Sequence, residues 1–315
     1  MCLPFSTSQS QWDYILRNAF AETFYEAAKN DKRLAMVVAD ISAAGSMDKF
    51  RAEYPKRFVN TGVAEQIMIG MCAGMSMRGL KPFAYTIATF ALFRPYEFIR
   101  DDLAYQGLPV TVVGIGGGVT YSQLGGTHHA MEDIALACAI PGIRVIAPCD
   151  PIETNEATKY CILQDAGPIY LRLGKAGERS ISGNAAEPWR FGKVRTIRGG
   201  REACIIGYGP ILSLALEAAE GQDISIVSCS TLKPLDTEGI GNILRRFPLV
   251  ITLEEHVARG GLGQQVKSLA YDLGAKCVIH SMTLKDKFIH AYGSHADVLA
   301  AHGITVEVIK EKLNG

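Results

Sequence analysis

The stretch FVNTGVAEQIMIGMCAGM, residues 58–75, joins a short apolar run, Phe58-Val59, to a segment in which Ile67, Met71 and Met75 recur every four residues. Gly70 and Gly74 fall on a neighbouring face, and this spacing predicts a buried helix packed on several sides. Glu65 stands at the mouth of the strand-to-helix turn. A carboxylate at least partly desolvated there needs a partner or a chemical task. Its simplest role is favourable placement at the positive end of the helix dipole.

The same alternation runs outward from this unit. Apolar runs resembling buried parallel strands (LAMVVAD, PFAYTIA, PVTVVGIGGG, RVIAP and PIYLRLG) alternate with helical patterns, one of them over Phe90 to Ala104. After the polar stretch GERSISGNAAEPWRFGK the alternation resumes with EACIIGYGP, ISIVSC, LVITLEEH and CVIHSM. Short β-rich runs bounded by Gly and Pro predict an α/β chain with mainly parallel sheets flanked by helices. The polar stretch divides it into two domains, 1–185 and 186–315, both of ordinary size.

With 315 residues, 48% of them hydrophobic, and 32 basic against 32 acidic side chains, the chain is read as soluble and large enough for two cores. Neutral balance without a block of like charge argues against nucleic acid and a lipid surface. The start, MCLPFSTSQSQW, lacks a positive segment followed by a long apolar one, and no run reaches the ~18 residues that span a bilayer. The expected location is cytoplasmic. The eight cysteines are scattered without a C-x-x-C pair, which predicts reduced core thiols rather than disulfides or a zinc site.

In open α/β sheets, ligands gather at the carboxyl ends of strands, so the following loops are searched for chemistry. ADISAAGS carries Asp40 and NTGVAEQ carries Glu65. In TFALFRPYEFIRDD, Phe90, Phe93 and Tyr96, with Arg94 and Glu97, fall at helical spacing, a pattern that equally describes a core stripe. In GIGGGVTYSQLGGTHHAMED, glycines allow backbone to approach a ligand, and the paired His128 and His129 titrate near neutral pH. GIGGG lacks the G-x-G-x-x-G spacing of dinucleotide sites.

FVNTGVAEQ, YTIATFALFRPYEFIRDD, GGTHHAMEDIA, IRVIAPCDP and IYLRLGKAGE, in that order, resemble the pyrimidine-binding half of transketolases. STLKPLD and EEHVARGGLGQQV resemble their C-terminal domain. Full-length members hold thiamine diphosphate through Mg²⁺ and a G-D-G-plus-Asn motif in a separate N-terminal domain, and no G-D-G occurs here. The chain is therefore similar to the C-terminal subunit of a split transketolase. The resemblance implies a partner subunit carrying the diphosphate and Mg²⁺ motif, two copies of each chain, and sugar or sugar-phosphate substrates exchanging a two-carbon ketol unit.

The resemblance also implies roles. Glu65 would hydrogen-bond N1′ of the aminopyrimidine and so activate the cofactor. Phe90 would lie against that ring, Phe93 and Tyr96 would wall the pocket, and Asp40 matches a family aspartate in the cofactor loop. His128 matches the histidine of a T-H pair that contacts the donor sugar, with His129 beside it. Arg172 matches an arginine that holds the substrate phosphate, its alternative being a salt bridge at a strand end. Two departures bear on the substrate: Leu124 is nearest to an aspartate that reads a donor hydroxyl, and an upstream histidine falls near Gly116. His256 reads as structural or interfacial.

Other readings share part of this pattern. The β subunit of a 2-oxo-acid dehydrogenase has the fold and the glutamate, but differs in its histidine loop. A 1-deoxyxylulose-5-phosphate synthase-like activity shares T-H-H, but belongs to a longer chain. A non-catalytic scaffold paralogue would need none of Glu65, Phe90 and His128.

Overall fold

The computed structural model of the chain describes residues 15–41, 46–175 and 177–314. Six strands come from its first half: β1 (Leu34–Val38), β2 (Phe58–Asn60), β3 (Lys81–Ile87), β4 (Thr111–Ile115), β5 (Arg144–Ile146) and β6 (Ile169–Leu173). Six more follow: β7 (Arg195–Arg198), β8 (Ala203–Gly207), β9 (Ile224–Ser228), β10 (Thr231–Lys233), β11 (Leu249–Val257) and β12 (Val278–Leu284). They form a seven-stranded sheet, β10-β5-β6-β4-β3-β1-β2, and a five-stranded sheet, β12-β11-β8-β9-β7. All pairings are parallel except those of β10 with β5 and of β7 with β9.

β1, β4 and β6 are buried at every residue. Helices cover both faces of a parallel sheet, so such strands read as continuous apolar runs without alternation. On one face of the first sheet, the helix Leu16–Asn30 brings Phe20 and Phe24 against Phe83 and Tyr85, and Pro151–Leu163 adds Ala157 and Cys161. On the other face, Met68, Ile69, Cys72 and Leu92 join a core that continues through Ile206, Tyr208 and Leu232 of the second half. The two halves therefore share a core. Their joint is tightened by β10, which leaves the second half to pair with β5 at the edge of the first sheet.

Two expectations require correction. The helix Glu65–Met77 buries Met68, Ile69, Cys72 and Ala73, whereas Ile67 and Met71 of the four-residue stripe are 60% and 36% exposed. Both sides of this helix are apolar, so periodicity does not say which one faces the core. The pattern over 90–104 is also no continuous helix. It breaks into Ala88–Leu92, Tyr96–Phe98 and a wider-turned segment Ile99–Tyr105 around Pro95, which has no N–H to donate.

The seven cysteines among the described residues are free and mostly buried, and Cys2 lies outside those residues. No helix among the described residues is long and apolar enough to cross a membrane.

Candidate active site

The parallel sheet places the loops after β1, β2, β3, β4 and β6 along one edge. At the turn after β2, Gly62 adopts φ +67°, a conformation open to glycine, and its N–H donates to Asn60 Oδ1 at 2.9 Å. Asn60 Oδ1 also accepts from the N–H of Asp40 at 3.2 Å, which ties this turn to the loop after β1. Asp40 has φ +43°, an uncommon conformation for a residue with a side chain and one often found at ligand sites. Its neighbours 42–45 lie outside the described residues.

The helix begins at Glu65 itself, whose side chain is 3% exposed. Arg94 Nη1 donates to both carboxylate oxygens, at 2.9 and 3.1 Å, and its guanidinium carbon lies 4.2 Å from the Phe90 ring centroid. One arginine thus offsets the charge of the buried carboxylate and covers a face of the neighbouring aromatic. Phe90 meets the His128 ring edge-on at 5.2 Å, and Tyr121 lies 6.2 Å from that ring. His128 Nδ1 shares a 2.9 Å hydrogen bond with Thr127 Oγ1. Glu65, Arg94, Phe90 and His128 form one contiguous cluster.

Burial, and then the neighbouring Arg94 charge, hold His128 below the ordinary histidine range. Arg94→Met is therefore expected to move its titration part of the way up, leaving the burial contribution in place. Following the His128 ring resonances against pH by NMR measures this shift. A parent midpoint at or above 6.5 would contradict the geometry.

Other candidates do not join the cluster. Phe93 and Tyr96 pack against the main core, and the Tyr96 hydroxyl donates to Leu136 O at 3.0 Å. His129 is buried, its Nε2 has no hydrogen-bond partner, and burial depresses its basicity. His256 accepts the Ala135 N–H at 3.2 Å, an interdomain contact in keeping with the structural reading.

Arg172 is 5% exposed, with Nε donating to Asp133 Oδ2 at 2.8 Å and Nη2 to Glu255 O at 2.9 Å. Tyr170 donates its hydroxyl to the same Asp133 oxygen. The arginine sits in the salt bridge that was the alternative to phosphate binding. Arg172→Met would strand Asp133, itself fully buried, and is expected to cost about 3–5 kcal/mol of stability in chemical denaturation. Unchanged stability with a raised KM for phosphorylated sugars would restore the phosphate reading.

The glycine run also has an internal explanation. A Cβ at Gly116 would strike Tyr121, at Gly117 Arg172, and at Gly118 Glu255. These glycines admit the chain's own side chains. Arg94, Tyr121 and Lys175 went unassigned in the sequence. Lys175 Nζ lies 4.6 Å from the Tyr121 ring centroid. A signal existed for Arg94, one helical turn after Phe90, and none for Tyr121.

A cavity of about 710 Å³ lies elsewhere, lined by Thr120, Glu178, Glu255 and His295 among others, and none of Glu65, Phe90, Arg94 and His128 lines it. Within the cluster Glu65 is buried, whereas the Arg94 side chain is 42% exposed and reaches solvent.

Comparison with known proteins identifies the family of both halves of the chain. Residues 14–178 match the family profile "Transketolase, pyrimidine binding domain", and residues 192–309 match "Transketolase, C-terminal domain". The "Putative transketolase C-terminal section" of Methanocaldococcus jannaschii is 33% identical over 304 residues, 95% of each chain. One subunit of the apulose-4-phosphate transketolase of Phocaeicola vulgatus is 33% identical over 252 residues, 78% of this chain and 80% of that one. A solved structure described as "Split gene transketolase, inactive beta4 tetramer" superposes with a TM-score of 0.83 at 28% identity, covering 96% of this chain and 97% of its own.

Proposed function

The chain belongs to the transketolase family, and we propose that it is the C-terminal subunit of a split transketolase, moving a two-carbon ketol unit from a ketose to an aldehyde. The observation that carries this reading is the buried Glu65 carboxylate joined through Arg94 to Phe90, which in turn meets His128. A carboxylate acceptor next to a flat aromatic suits the aminopyrimidine end of thiamine diphosphate, one hydrogen-bonding and one stacking surface. The other end of the cofactor finds no match here. G-D-G is absent from the sequence, and no cluster of three or more His, Cys, Asp or Glu suited to a metal occurs among the described residues. We assign the diphosphate and Mg²⁺ to an N-terminal partner subunit.

When bound, thiamine diphosphate supplies the electron sink for breaking the ketose C2–C3 bond. In this reading the Glu65 carboxylate would be the proton partner of the pyrimidine N1′ atom, and Arg94 offsets the charge of that carboxylate. Phe90 orients the ring, Asp40 borders it, and His128 meets substrate hydroxyls as proton donor or acceptor. Phe93 and Tyr96 support the helical segment from behind. The substrate class is a sugar or sugar phosphate, by analogy with the apulose-4-phosphate enzyme.

An exposed apolar stripe beside Glu65 supports a partner. Val63, Ile67 and Met71 are 69%, 60% and 36% exposed, and apolar side chains grouped on a surface in this way mark an interaction site. Two copies of each subunit would complete two sites, the whole assembly working in the cytoplasm. Co-expression with the partner, followed by a donor and acceptor screen with thiamine diphosphate and Mg²⁺, tests the proposal. An assembled complex that binds the cofactor yet transfers no ketol unit from any ketose would refute it.

A further inference from the structure

We propose that the second domain contributes a substrate-reading residue, Tyr292, to the sugar site. This inference rests on the transketolase reading and specifies where its selectivity lies.

The segment between β12 and the helix His295–His302 crosses over the turn that leads to His128. Ser122 Oγ donates to Gly293 O at 2.9 Å. A Cβ at Gly125 would come within 3.0 Å of the Tyr292 ring and 3.3 Å of its hydroxyl oxygen, and one at Gly126 within 3.4 Å of Phe288. Gly125 has φ +72°, so both sterics and backbone favour glycine where the phenol rests. Two aromatics from the second domain therefore lie on the backbone two and three residues before His128. Their outer surfaces are free, Tyr292 being 68% and Phe288 65% exposed.

That placement is rigid at its far end. Ser294 and Asp297 form a reciprocal cap at the start of the next helix, and His295 Nε2 bonds Glu255 Oε1 at 2.8 Å. Glu255 in turn accepts the Val119 N–H at 2.6 Å, in the same loop that carries His128. Tyr292 is thus tied through its neighbours to the frame of His128, as a selective contact requires.

The chemistry suits a sugar. An aromatic ring offers a flat surface to C–H faces, and a phenol offers a donor and acceptor to hydroxyls. At the same turn, Leu124 is 49% exposed and has no polar group to offer a hydroxyl. Tyr292 supplies from the second domain the polar contact that Leu124 does not.

The test uses the assembled complex with its partner, comparing the parent with Tyr292→Phe, Tyr292→Ala and Phe288→Ala. Probes are ketose donors and aldose acceptors of three to six carbons, with and without a terminal phosphate. Tyr292→Phe is expected to raise KM for one sugar class by roughly 2- to 10-fold, the effect of one lost hydrogen bond, with little change in kcat. Tyr292→Ala should raise it further and flatten the preference among sugars. Thermal stability, assembly and hydrogen–deuterium exchange at C2 of the bound cofactor should all be unchanged. Unaltered KM values in both Tyr292 variants, or losses that follow weakened assembly, overturn the inference. A parent complex that transfers ketol to none of these acceptors instead removes the functional reading beneath it.

Discussion

Glu65→Gln is expected to lower ketol transfer by roughly 10²–10⁴-fold, the range for losing a positioned acid–base group, while fold and assembly survive. The amide fills the same buried volume, and its oxygen still accepts from Arg94. The arginine side chain is 42% exposed, so its unbalanced charge can turn to water instead of remaining stranded. Stability should therefore fall by only about 1–3 kcal/mol. What the amide cannot do is serve as an anionic proton partner for N1′. A carboxylate placed merely to complement the helix dipole predicts another pattern, at most about 1 kcal/mol of stability and near-normal turnover. Hydrogen–deuterium exchange at C2 of the bound cofactor, followed by NMR in the assembled complex, separates these roles without knowledge of the sugar. Exchange in the Gln variant as fast as in the parent would remove Glu65 from the mechanism.

Strands buried on both faces were legible because their apolar runs need no partner to be recognised, as Leu34–Val38 and Thr111–Ile115 illustrate. β10 was not, because three residues, Thr231–Lys233, acquire their meaning from pairing with β5, more than eighty positions earlier. β7 has one apolar residue, Ile197, among Arg195, Thr196 and Arg198 at a sheet edge and lacks the continuous apolar signal. Within the site, Glu65, Phe90 and His128 could be read because each sits in an ordered set of short motifs. Arg172 could not be decided locally. Its partner Asp133 lies 39 residues away, and only the fold shows that the guanidinium is occupied. The glycines 116–118 carried the same ambiguity, since a glycine that admits a ligand and one that admits Tyr121 or Glu255 look identical in sequence. Tyr292 and Phe288 were invisible because their significance depends on how one domain docks on the other.

The isolated chain is expected to show no saturable heat with thiamine diphosphate and Mg²⁺ in titration calorimetry, whereas the complex with its partner binds both. Glu65, Arg94 and Phe90 address the pyrimidine end, while the charged end that dominates attraction to a metal–diphosphate finds no G-D-G motif here. The surface beside the site points the same way. Val63, just before the helix that starts at Glu65, and Ile67 and Met71 on it stand exposed, and a Cβ added at Gly70 or Gly74 would meet nothing within 4 Å among the described residues beyond its own helix backbone. Those glycines are not demanded by internal packing, but they let another backbone approach closely. Ile67→Lys provides the second arm. At 60% exposure the substitution should leave the chain's own stability nearly unchanged. In an assembled complex the same lysine would be buried without a counter-charge, and association should weaken by at least about 10²-fold, abolishing cofactor binding at ordinary protein concentrations. Light scattering is expected to show two copies of each subunit for the parent and separated components for the variant. Micromolar cofactor binding by the chain alone would mean that it holds a complete site, and the division of labour between two subunits would then be wrong.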